Sequence, residues 1–138
     1  SDIKLKENIT DTTPKLEKLL QVQIRNFNLI GNPLPLLGVI AQELELICPS
    51  LVEDVPDFEM IPDSNWIPEN GQTESDRPYI QHFLGTITKS VKYSVFVPML
   101  IKALQEFYAE HLLLVARVQT LEGLVVDLTS RLEALEAN

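Results

Sequence analysis

The sequence predicts an α+β chain: a small mixed head of short strands and helices, a long proline-rich arm, and a long C-terminal helix that forms a parallel coiled coil. Three observations carry this expectation. From Leu100 to Leu135 the seam positions alternate in spacing between four and three, which is the signature of a heptad seam. Upstream, short apolar runs are separated by Gly and Pro turn residues. Between them, Pro56, Pro62, Pro68 and Pro78 lie among seven acidic residues and one arginine over residues 54–85.

The heptad register places Leu100, Phe107, Leu114, Leu121, Leu128 and Leu135 at d, and Leu104, His111, Val118, Val125 and Leu132 at a. Arg117 with Glu122, and Arg131 with Glu136, occupy g and following e positions, where opposite charges pair between parallel helices and fix their register. In the first turns the stripe widens, because Ile101, Tyr108 and Val115 add an e row. A wider stripe predicts docking on the globular part. Ser94 is the expected N-cap, and Pro98 is tolerated only near a helix start, so residues 94–138 form the helical segment.

In the head, residues 1–93, Thr13-Pro14 predicts a cap and first-turn proline opening a short helix through Leu16, Leu19 and Leu20. Residues 23–30 alternate like a strand, Gly31-Asn32-Pro33 turns the chain, and residues 36–41 form a second strand. Residues 42–47 read as a short helix stopped by Pro49, with further strands at 51–55 and 88–93. Residues 54–87 are expected as a long loop or arm. Phe58, Met60, Trp66, Tyr79 and Phe83 make it too apolar for a free linker, so it packs either on another chain or on its own domain.

A net charge of −9 repels phosphate backbones and anionic lipid, which disfavours nucleic-acid or membrane binding. A lone cysteine, Cys48, makes no internal disulfide, and its setting in Leu46-Ile47-Cys48 reads as a small buried hydrophobe. No apolar run is long enough to span a bilayer, and the first residues lack a signal-peptide layout, so a soluble, cytoplasmically made chain is expected. Asn8-Ile9-Thr10 is a formal sequon that stays idle without secretion.

Three segments in order resemble the C-terminal intramolecular chaperone domain of endosialidase-type phage tail spikes, a family of self-cleaving Ser-Lys peptidases that includes the processing domain of myelin-regulatory-factor transcription factors. They are Ser1-Asp2-Ile3-Lys4-Leu5-Lys6-Glu7-Asn8-Ile9; Gly38-Val39-Ile40-Ala41-Gln42-Glu43-Leu44 followed by Pro49 and Leu51-Val52; and Val91-Lys92-Tyr93-Ser94 leading through Val97-Pro98-Met99-Leu100. The resemblance implies a homotrimer that helps an upstream β-rich stalk fold and then cuts the bond before the motif serine, Ser1. It implies Lys6 as the partner of that serine, no cofactor and no metal. A sequence opening at Ser1 is what the released product of such a cut would show. Virion assembly in the host cytoplasm is the implied setting, with the released piece no longer active.

The chemistry is that of a hydroxyl nucleophile with an amine base. Lysine is protonated near neutral pH, and making it neutral through burial or a neighbouring cation such as Lys4 costs about 4 kcal/mol. Positions five apart fall on opposite faces of a strand and well apart on a helix, so either the chain bends between Ser1 and Lys6 or the lysine comes from a neighbouring subunit. Gln42 and Glu43, at a strand-to-helix junction, are candidates for shaping an oxyanion site, set against the simpler reading of a carboxylate satisfying free helix amides. His111 is either a pH-sensitive register device or a local misfit turned to water, with a metal role for three symmetry-related imidazoles a weaker reading. His82 carries no readable signal. Two rivals stand beside this: a transcription-factor processing module, and a coiled-coil oligomerisation domain without chemistry, for which Val and Leu layers suit a dimer nearly as well as a trimer.

Overall fold

The computed structural model describes all 138 residues and is a mixed α+β structure ending in a long helix. Two compact units divide it, Ser1–Gln21 with Val95–Asn138, and Val22–Ser94. The first 21 residues therefore group with the C-terminal helix and not with a 1–93 head. None of the helices is long and apolar enough to cross a membrane.

The first unit is built on two helices, α1 (Leu16–Gln21) and α3 (Phe96–Glu136). At about 1.5 Å per residue, the 41 residues of α3 extend roughly 60 Å. Against α3 packs α1, on the side marked by buried Ala103 and half-buried Met99, Lys102 and Glu106. The expected cap of α1 is corrected here. The amides of Lys15 and Leu16 donate to the Glu106 carboxylate at 3.0 and 2.9 Å, while the Thr13 hydroxyl accepts from Lys15 Nζ. A carboxylate outcompetes a hydroxyl at a helix N-terminus because its full charge meets the free amides.

Two further expectations change along α3. Ser94 is not its N-cap: Tyr93–Val95 form a 3-10 turn, the helix starts at Phe96, and Val95 stands at the cap without a side-chain bond. Nor does the e row dock on the rest of the unit, since Ile101 and Tyr108 stay more than half exposed. The side that α1 covers runs through Met99, Ala103 and Glu106 instead, leaving the a, d and e rows open.

In the second unit, β1 (Arg25–Asn28) pairs antiparallel with β2 (Pro35–Gly38), from Arg25 opposite Gly38 to Asn28 opposite Pro35. Gly31 turns the chain at φ 82°, a conformation that glycine adopts without strain. Next, α2 (Ala41–Ile47) leads through a 3-10 turn at Pro49–Leu51 into β3 (Val52–Pro62), which pairs with β4 (Tyr79–Val91). The core is small and consists of Val39, Leu44, Cys48 and Leu51. Cys48, 4% exposed, is the buried hydrophobe its neighbours predicted.

Residues 54–87 are a loop only in part: 63–78 form the loop, and 54–62 and 79–87 are the strands on either side of it. They form most of a two-stranded ribbon whose register runs from Val52 opposite Val91 to Pro62 opposite Tyr79. The prolines mislead because of where they stand: Pro56 is beside a bulge, Pro62 ends β3 and Pro78 immediately precedes β4, all places where a missing N–H is tolerated. Between them, β-branched and aromatic residues favour the pleated conformation. At the bulge, Asp57 accepts from the Thr86 and Thr88 hydroxyls, both at 2.7 Å, and Gly85 takes φ 78°. The ribbon's far end is closed by Arg77, which lies over the Trp66 ring, donates to the Asp63 carbonyl and pairs with Glu74.

Candidate functional site

At the start of the chain, Asp2 has extended backbone and its carboxylate accepts from the Lys4 amide at 3.0 Å, capping a single 3-10 turn over Ile3–Leu5. The turn closes with Lys6 N donating to the Ile3 carbonyl at 3.0 Å. A single turn between extended residues at Asp2 and Lys6 bends the chain back, which neither a continuous strand nor a continuous α-helix does at a separation of five. As a result, Lys6 Nζ donates to Ser1 Oγ at 2.9 Å within one chain. Of the two routes open from sequence, the bend is the one present, and proximity of the pair needs no second subunit.

Both side chains are exposed, and in this contact an N–H proton of the amine is donated to the hydroxyl oxygen. For it to pass the other way, water has to be excluded and the amine neutral. Lys4 does not supply the neighbouring cation, because Asp2 Oδ2 lies 3.5 Å from its Nζ and offsets the charge.

Gln42 and Glu43 belong to the second unit, in the first turn of α2. Gln42 is exposed. Glu43 is held by Arg25 through two parallel bonds, Nε to Oε2 at 3.0 Å and Nη2 to Oε1 at 2.9 Å. That hydrogen-bonded pairing keeps the Glu43 carboxyl below its ordinary range and raises the Arg25 guanidinium. An ionised carboxylate only accepts, so the Glu43 side chain repels a developing oxyanion; the donors at these positions are the Gln42 side-chain amide and the backbone N–H groups of the first turn.

The seam residues Leu104, Phe107, Leu114, Val118, Leu121, Val125, Leu128, Leu132 and Leu135 are 44–73% exposed, and His111 is exposed with them. No group of three or more His, Cys, Asp or Glu within the chain could hold a metal ion.

Sequence reasoning missed three residues that shape these regions: Glu106, Asp57 and Tyr93. The phenol of Tyr93 accepts from the Val39 amide at 3.3 Å and stands 2.9 Å from where a Cβ on Gly38 would lie. Phe27 Cε1 would be 3.2 Å from the same point. Gly38 is therefore required by a close approach, and the second and third motif segments meet at it. A glycine in one motif and a tyrosine in another were the available signal, but only the fold shows that they touch.

Residues 1–53 match the family model Peptidase_S74, described as chaperone of endosialidase. The resemblance drawn from the sequence is borne out over this segment, which holds the first two motifs, the Ser1–Lys6 turn and the Arg25–Glu43 pair. The matched segment is that of a chaperone domain in a peptidase-related family. No curated protein matches the chain.

Proposed function

We propose that this chain is an intramolecular trimerisation chaperone that assists an upstream β-rich viral fibre or tail spike and releases itself by cutting the bond before Ser1. The observation that carries the reading is the 2.9 Å contact of Lys6 Nζ with Ser1 Oγ, inside the segment that matches the endosialidase chaperone family. In the precursor, Ser1 Oγ attacks the carbonyl carbon of the residue before it while neutral Lys6 takes the hydroxyl proton. Collapse breaks the C–N bond, the proton passes to the leaving Ser1 amine, and the acyl group rests on Oγ as an ester. Water then hydrolyses the ester, leaving an upstream carboxylate and a free Ser1. Each precursor turns over once.

Assembly supports the same reading. The buried apolar residues are five, Val39, Leu44, Cys48, Leu51 and Ala103, too few for a chain of 138 residues that stands alone. The uncovered a and d rows of α3 supply the missing interface, with Arg117–Glu122 and Arg131–Glu136 pairing across parallel helices. Three C-termini held together reach effective concentrations on the order of millimolar, which turns a third-order encounter of stalks into local zipping. Association also covers the ends of the chain and shields the Ser1–Lys6 pair from water, so that cutting follows assembly. Removal of the chaperone leaves the fibre's persistence to its unfolding barrier. Folding and release take place in the host cytoplasm during virion assembly.

The test is expression with native upstream residues, followed by mass spectrometry. The expected result is a cut before Ser1 that Ser1→Ala and Lys6→Ala each abolish while the trimer persists. An extended precursor that stays whole as a trimer refutes the reading.

A further inference from the structure

His111 interrupts an otherwise apolar seam, between the d residues Phe107 and Leu114. The helix runs through it without a break from Phe96 to Glu136, so residue 111 keeps its a position in the heptad frame. Its ring stacks on that of Tyr108 with centroids 6.5 Å apart. Tyr108, at e, thus limits the rotation of the imidazole from the flank of the seam.

We propose that, in the parallel trimer on which the reading above rests, the three His111 imidazoles form a metal site on the threefold axis for a divalent transition ion of the zinc type. A parallel threefold bundle brings the three a residues of one layer together at equal distance from the axis. Three neutral imidazoles are a donor set that suits Zn2+, Ni2+ or Cu2+, bound at about 2.0–2.1 Å for zinc, with a further position left for water. Leucine layers are indifferent to such an ion; a layer of three unpartnered imidazoles is not, since burying their polar nitrogens without a partner is costly. An outer carboxylate is at hand. Glu110 stands at g, and the e residue it would meet on the next helix is Val115, so it lacks the oppositely charged partner that Arg117 and Arg131 find in Glu122 and Glu136. It is free to accept the second ring N–H of a neighbouring His111 and orient it for the metal.

The experiment uses the tag-free full chain, stripped with chelator and titrated with Zn2+ alone, beside His111→Asn, which keeps a polar a residue. The expected result is one Zn2+ per three wild-type chains by calorimetry and native mass spectrometry, lost in His111→Asn although both sediment as trimers. Zn2+ at a hundredfold its dissociation constant then multiplies the folded-to-unfolded ratio of the wild-type trimer by about a hundred. Co2+ substitution gives visible absorption bands that the variant lacks. A wild-type trimer that binds no Zn2+, or that binds no more than His111→Asn, overturns the site. A chain that is not a trimer overturns the assembly reading itself.

Discussion

Leu113 and Leu114 are chemically identical neighbours on α3, 73% and 59% exposed, and only the heptad register separates them. Leu114 is at d and Leu113 at c. If the chain acts alone, truncating either to alanine removes a solvent-facing side chain and changes stability by no more than about 0.5 kcal/mol. If α3 forms the threefold seam, Leu114→Ala opens a cavity in three places at once. A fully buried Leu→Ala change costs about 2–5 kcal/mol. Scaling by the 59% of Leu114 that remains to be covered gives roughly 1–3 kcal/mol per chain and about 4–9 per trimer. At about 1.4 kcal/mol per tenfold, the trimer association constant falls by between about three and six powers of ten. Sedimentation and thermal unfolding across a range of chain concentrations read this directly. Leu114→Ala is expected to shift the monomer–trimer midpoint to higher concentration, while Leu113→Ala leaves it in place. Equal effects of the two changes, or none from either, would refute the assigned register.

Gly38→Ala places a methyl 2.9 Å from the Tyr93 phenol, so a loss of about 1–3 kcal/mol is expected in denaturant unfolding, and Tyr93→Phe in the same chain recovers part of it. Glu106→Ala removes the acceptor for the Lys15 and Leu16 amides; α1 loses about 0.5–2 kcal/mol, seen as faster hydrogen exchange at those two amides with α3 unchanged. Hydrogen bonds from Thr88 and Thr86 hold the Asp57 carboxyl below its ordinary value. A carboxyl lowered by folding contributes stability that is full above the unfolded value, about 3.9, and is lost as pH falls through the lower folded one. A carbon NMR titration of Asp57 should therefore show a midpoint under the usual aspartate range, returned to it by Thr86→Val with Thr88→Val.

The long helix and the turn at Gly31 were legible because they depend on local spacing: an apolar residue every three or four positions commits a segment to helix whatever surrounds it. The burial of Cys48 was legible for a similar reason, from its apolar neighbours. The ribbon was legible only at its base, where strands at 51–55 and 88–93 were expected; residues 56–62 and 79–87 were not, since the prolines outweighed a β-prone composition until the partner strand showed which amides needed no bond. The cap of α1 was equally hidden, because the carboxylate that provides it lies 90 residues along the chain. At the candidate site the family resemblance named Ser1 and Lys6, and their spacing showed that regular structure would keep them apart. What it left undecided was how they meet, and a single Asp2-capped 3-10 turn decides that by returning the chain on itself between them. Periodicity and residue type are properties of one segment and can be read from it. Close approaches and long-range caps depend on which distant groups fold against that segment, and only the tertiary structure fixes those.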